Sequence, residues 1–178
     1  MRKRFLVIAF IVLAAAAGLW AMAAPQPTPL TQKPADSQTA ETGVTVGKAA
    51  PQFSRQDLAG KQVTVGAPGK ITVVNFWATW CPPCREEMPQ LEKFAQALPP
   101  DVVFYAVNIQ ETAEKANAFL QQNNYKMPVL LDSDGAVAST YKINAIPTTV
   151  IIDKTGKIRF RKAGGVTLAE LEGVIKGL

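Results

Sequence analysis

A chain of 178 residues with net charge +5 suits one ordinary domain plus a short appendage, able to bury its own core without metals or disulfide staples. It holds two cysteines and no histidine, which excludes His-dependent triads, histidine metal sites and axial histidine ligation of haem. From residue 44 onward fifteen Lys or Arg face twelve Asp or Glu, and the alternating Lys157, Arg159, Arg161 and Lys162 read as a solvated strand face, so no nucleic-acid partner is expected.

Residues 5–24, FLVIAFIVLAAAAGLWAMAA, carry no charge and as a helix would span a bilayer's hydrocarbon core. Arg2, Lys3 and Arg4 precede them, which places everything beyond on the extracytoplasmic side. Residues 1–24 are therefore expected to be a signal-anchor, with the small-x-small pattern Ala21-Met22-Ala23 leaving a signal peptide cleaved near Ala23 as the alternative. No cysteine closes the run, so lipid attachment after cleavage has no acceptor. Residues 25–43 hold four prolines among Thr, Gln, Ser and Ala without helical or strand periodicity, the composition of a disordered tether.

The folded domain is expected over residues 44–178. Short strands are predicted at Phe53 to Arg55 and Val63 to Val65, joined by the turn Leu58-Ala59-Gly60-Lys61. Ile71 to Trp77 is apolar on both alternating faces, as in a central strand covered by helices. A helix follows from about Pro82 to Leu98, with Pro89 inside it and Pro99-Pro100 ending it. Val102 to Asn108 is the next buried strand, Thr112 to Gln122 a helix, Val129 to Leu131 a strand and Ala136 to Tyr141 a short helix. Thr148 to Asp153 and Ile158 to Arg161 should pair across Lys154-Thr155-Gly156-Lys157. Thr167 and Glu170 then form a capping box for a final amphipathic helix. Alternating strands and helices closed by an antiparallel hairpin predict an α/β fold, a mixed central sheet with helices on both faces.

The chemistry lies in Trp80-Cys81-Pro82-Pro83-Cys84. Cysteines three apart at a strand-to-helix junction can form a disulfide, and Cys81 at the helix N-terminus can accept the Cys84 N–H and feel the positive end of the dipole. Its thiolate is thereby stabilised, so Cys81 is the candidate nucleophile, while Cys84, one turn inside the helix, is the candidate resolving thiol. Pro82 and Pro83 lack N–H groups, which keeps that stabilisation modest and favours reduction of substrates. A purely structural disulfide would close too short a loop to stabilise much, and a zinc site would have only two of four ligands. No cofactor is expected beyond the redox-active Cys81–Cys84 pair, and no metal.

Phe76-Trp77-Ala78-Thr79-Trp80-Cys81-Pro82-Pro83-Cys84-Arg85-Glu86-Glu87-Met88-Pro89, with Ile146-Pro147-Thr148-Thr149, resembles the membrane-anchored TlpA/ResA-like branch of the thioredoxin superfamily over roughly residues 44–178. The resemblance implies a thioredoxin fold with an N-terminal β-hairpin extension and an inserted helix and strand within 108–142. It also implies a cis peptide before Pro147, with Ile146 and Thr148 beside it at a substrate-binding edge, and Trp80 covering the sulfurs. Glu87 takes the place of an acid that tunes the thiols and transfers protons, with Glu86 as its competitor and an early-helix acid as the plain alternative. Asn75 stands where many cytoplasmic thioredoxins carry a buried aspartate, so that proton acceptor is missing.

The reading is an extracytoplasmic thiol-disulfide oxidoreductase that reduces disulfides in exported proteins, with apocytochrome c during cytochrome c maturation as the substrate the resemblance suggests. Its expected partners are protein disulfides, an upstream membrane thiol-disulfide electron donor and the membrane itself, and a monomer is expected. A disulfide oxidase or isomerase, and a non-catalytic chaperone-like binding module, are the alternatives.

Overall fold

The computed structural model describes residues 41–178. The expected signal-anchor and residues 25–40 of the expected tether lie outside them, and among the described residues no helix is long and apolar enough to cross a membrane. The folded part begins earlier than the expected boundary at residue 44. Thr42 bridges Ala49, the Gly43 N–H donates to the Ala49 carbonyl at 2.9 Å and the Ala49 N–H to Glu41 at 3.2 Å. Residues 41–43, read as tether, are tied down by main-chain bonds to a partner six to eight residues ahead, which composition does not reveal.

A two-stranded antiparallel hairpin, β1 (Phe53–Gln56) with β2 (Gln62–Val65), precedes the main sheet. Asp57 closes its turn by accepting the Ala59 and Lys61 N–H groups, both at 2.9 Å. The main sheet contains β3 (Ile71–Trp77), β4 (Val102–Ile109), β5 (Val129–Asp132), β6 (Thr148–Ile152) and β7 (Ile158–Ala163) in the order β5-β4-β3-β6-β7. β3, β4 and β5 are parallel, and β6 and β7 are antiparallel to their neighbours. β3 is central and wholly buried, as its two-faced apolar sequence requires.

Four helices complete the domain: α1 (Pro82–Gln96), α2 (Ala113–Asn123), α3 (Ala136–Thr140) and α4 (Leu168–Lys176). Asn75 on β3 bonds to Glu87 of α1, and Trp77, two residues on, packs against Phe119 of α2 at 5.3 Å. Alternation puts Asn75 and Trp77 on one face, so α1 and α2 share it. α4 joins them, since the Leu168 N–H donates to Gln90 on α1. Phe76 points the other way, to Tyr141 at the end of α3, which also meets Phe53 of the hairpin at 5.7 Å. Helices thus cover both faces.

α1 passes through Pro89 without a break and ends at Gln96, two residues before the expected Leu98. The helical region is disfavoured for a residue preceding proline, and Pro99-Pro100 offer no N–H to continue the ladder, so the helix stops short of Leu98 and Ala97 becomes the cap. α3 is capped from a distance: the buried Asp132 accepts the Val137 and Ala138 N–H groups at 2.9 and 2.8 Å and pairs with Arg55 of β1 at 2.8 Å. The capping box of α4 is present as predicted, with the Thr167 hydroxyl accepting the Glu170 N–H and Glu170 accepting the Thr167 N–H. The hydrogen bond from Lys162, then those from Thr167, hold the Glu170 carboxyl at about 2. Thr167→Ala should cost about 1 kcal/mol, read as a lower urea midpoint with an unchanged denaturant slope.

Candidate active site

Cys81 is the N-cap residue of α1, with extended backbone (φ −91°, ψ 108°), and its sulfur accepts the Cys84 N–H at 3.3 Å. Pro82 and Pro83 fill the first two helical positions, where a missing N–H costs nothing and a fixed φ suits the turn. The first N–H of the helix that can reach the cap is therefore that of Cys84. The two sulfurs are joined in a disulfide with Cα atoms 5.3 Å apart. Cys84 is fully buried and Cys81 nearly so, at 3% exposure, while Trp80 stands 62% exposed beside them. Trp80 is thus a solvent-facing indole at the rim of the pair, and Trp77 is the buried aromatic beneath the sheet's helical face.

The Ile146–Pro147 peptide is cis, a form common only before proline. It brings the Ile146 carbonyl oxygen to 3.7 Å from the Cys81 sulfur. Ile146 is half-buried and Pro147 buried. Thr148 does not present its side chain at this edge. It is 3% exposed, lies in β6 opposite Phe76 and Ala163, and its hydroxyl donates to the Ala145 carbonyl at 2.7 Å. The Thr148 hydroxyl thus braces the loop that leads to the cis bond.

Glu87 follows Cys84 by three residues, and with Met88 and Leu91 the two form the buried stripe of α1. Glu86, beside it, is exposed. Glu87 is 4% exposed; one carboxylate oxygen accepts the Asn75 amide at 2.8 Å and the other the Val166 N–H at 2.9 Å. Asn75 also donates to the Thr149 hydroxyl at 3.0 Å. Burial pushes the Glu87 carboxyl above its ordinary value, against the opposing pull of the Val166 N–H, the Asn75 amide and the Lys162 charge. A carboxyl raised by desolvation, one helical turn from a buried thiol, is equipped to exchange a proton.

Residues 45–175 match the Redoxin family. The chain belongs to that family. It is 35% identical over 136 residues to the thioredoxin-like protein YneN of Bacillus subtilis, covering 74% of this chain and 79% of that one. It is also 35% identical over 133 residues to the thiol-disulfide oxidoreductase ResA of Bacillus cereus, covering 74% and 77%. The crystal structure of StoA from Bacillus subtilis superposes with a TM-score of 0.65 at 30% identity, covering 71% of this chain and 98% of that one. The redoxin is accordingly a thiol-disulfide oxidoreductase with a thioredoxin fold, and its hairpin β1–β2 is the expected N-terminal extension.

Sequence reasoning missed four residues that this redoxin brings to the site. Thr149 and Val166 complete the surroundings of Glu87 from β6 and from the passage into α4. Gly164, at φ +94°, starts that passage, and its N–H donates to the Pro147 carbonyl at 2.8 Å. Glu111, just past β4, accepts the Thr79 N–H and hydroxyl at 2.7 and 2.6 Å and the Asn108 amide at 2.9 Å. The one available pointer to Glu111 is topological, because residues beyond the carboxyl ends of adjacent parallel strands gather at the same edge.

The folded protein holds the Glu87 proton more tightly than the unfolded chain, whose carboxyl titrates near the ordinary value of 4.5. The stability tied to this proton is present in full below that value and is lost as pH rises through the folded, raised pKa. In the oxidised protein, the difference in urea unfolding free energy between wild type and Glu87→Gln should change across that window; parallel pH profiles would show that Glu87 titrates normally.

Proposed function

We propose that this redoxin reduces disulfides in exported proteins, apocytochrome c being the substrate class suggested by its resemblance to ResA. The observation that carries the reading is Cys81 as a helix cap held in a disulfide beside the cis Ile146–Pro147 peptide. In the reduced form, the Cys81 thiolate attacks one sulfur of a substrate disulfide, forming a mixed disulfide and releasing the other sulfur as a thiolate. The Cys84 thiolate then attacks the Cys81 sulfur, restoring the internal disulfide and releasing the second substrate thiol. Two electrons pass to the substrate; the proton of the Cys84 thiol leaves through Glu87, and, Cys81 having attacked as the thiolate, the second proton that the two substrate thiols need comes from water. An upstream membrane dithiol returns the enzyme to its reduced form.

The substrate chain lies extended along the Ile146 edge, pairing main chain to main chain, with the exposed Trp80 against its flank. A cleft of about 320 Å³ lined by Pro82, Arg85, Glu86, Phe119, Asn123 and Tyr125 gives room for residues flanking the substrate cysteine. The domain works outside the cytoplasm, held to the membrane by residues 5–24. This rests on Arg2, Lys3 and Arg4 preceding an uncharged stretch. The thiolate at Cys81 is mild, because the two prolines after it leave one N–H at the sulfur.

Cys84→Ser expressed in the exporting compartment should accumulate mixed disulfides with substrate proteins, and Cys81→Ser should trap none. The Cys81–Cys84 potential, measured against a thiol redox buffer, should lie below about −230 mV, on the reducing side of glutaredoxins. A value near about −120 mV, where strong oxidants lie, would make the protein an oxidase and overturn the direction proposed.

A further inference from the structure

We propose that Glu111 is a positioning residue of the redox site: its carboxylate holds the Thr79–Trp80–Cys81 turn in place and, as a buried anion on that turn, opposes ionisation of Cys81. The inference rests on Cys81 being the reactive thiol and concerns what sets its reactivity.

Three donors from two segments converge on this one side chain, which is 2% exposed: the Thr79 main chain, the Thr79 hydroxyl and the Asn108 amide. Thr79 is joined through Trp80 to Cys81, so a clamp on its N–H and hydroxyl fixes the chain two residues before the sulfur. The clamp is itself anchored. Gln110, at φ +54°, turns the chain sharply after β4, and its N–H donates to the Asp132 carbonyl at 3.0 Å. The Glu111 carbonyl accepts the Ser133 hydroxyl at 2.8 Å. A left-handed backbone at a residue other than glycine is uncommon and persists where the surroundings fix it.

Satisfying the Thr79 N–H requires an acceptor, but not a charged one. The carboxylate nonetheless stays ionised: burial pushes its pKa up, and the Thr79 and Asn108 hydrogen bonds with the nearby Lys115 charge more than offset this and hold it low. Lys115 approaches only to 3.9 Å and is 68% exposed, so it is a weak counter-charge. The other ionisable groups close to Cys81 along α1 are Arg85 and Glu86, both exposed, and the buried Glu87. A fixed negative charge behind the turn works against the helix dipole that favours the thiolate.

Glu111→Gln separates charge from shape, because the amide oxygen can keep the Thr79 N–H and the Asn108 amide, which share one Glu111 oxygen, while the new NH2 donates to the Thr79 hydroxyl, which turns to accept. In the reduced protein, the rate of Cys81 alkylation by iodoacetamide, followed against pH on the Cys81 peptide, should have its midpoint lowered by about half to one pH unit in Glu111→Gln. Thr79→Val keeps the charge and removes one clamp bond. Its midpoint should not fall, while the second-order rate of attack on a model disulfide should drop several-fold; this variant carries the test if Glu111→Gln does not fold. Superimposed alkylation profiles for the parent and Glu111→Gln, or an unchanged attack rate in Thr79→Val, would overturn the role of Glu111. A parent protein whose Cys81 shows no thiol midpoint would instead defeat the redox reading itself.

Discussion

A single sulfur caps α1 and closes the disulfide, and the rest of the site is arranged around that double duty. Because Cys81 is the cap, its sulfur must lie where the Cys84 N–H points, and because the next two residues are prolines, no other early N–H competes for it. The cap position also dictates what lies below. One turn on comes Cys84, another turn brings Glu87, and the stripe they share faces β3. The carboxylate is thereby delivered to the buried Asn75, and the sulfur to the carbonyl at the cis peptide.

Asn75 illustrates how a departure from a familiar pattern changes meaning once its neighbours are known. Taken alone it marks a missing buried acid beneath the disulfide. In the fold its amide holds the side chain of Glu87 and the Thr149 hydroxyl, so the acid has moved from strand to helix and the strand supplies its donor. An aspartate at position 75 would have set two carboxyls side by side, raising the cost of ionising either.

What could be read in the sequence was local. The two-sided apolar run of β3, the proline stop after α1 and the Thr167–Glu170 capping box are decided by residues within a few positions of one another, and the first and last hold to the residue. The cis bond at Pro147 came with the resemblance, since a lone proline before a strand has no such implication. Contacts that join distant segments were out of reach: Val166 to Glu87 spans 79 residues, Arg55 to Asp132 spans 77 and Thr79 to Glu111 spans 32. Each pairs a polar group with whichever donor or acceptor the topology sets opposite it, and nothing in its own neighbourhood says which. The burial of the Thr148 side chain was out of reach for the same reason, because membership in a motif does not say which way a side chain turns.

The short passage from β7 to α4 has a further consequence. Gly164 and Gly165 are exposed, and by surface position and composition they look like a place where residues could be inserted freely. Yet the N–H of Gly164 is bonded to the cis-proline carbonyl and the N–H of Val166, two peptides later, to Glu87. The span between those two anchors is fixed at both ends, so its length belongs to the specification of the site as much as the identity of any side chain. A graft, tag or natural insertion there would separate the cis-proline edge from the Glu87 carboxyl, while leaving every side chain of the site unaltered.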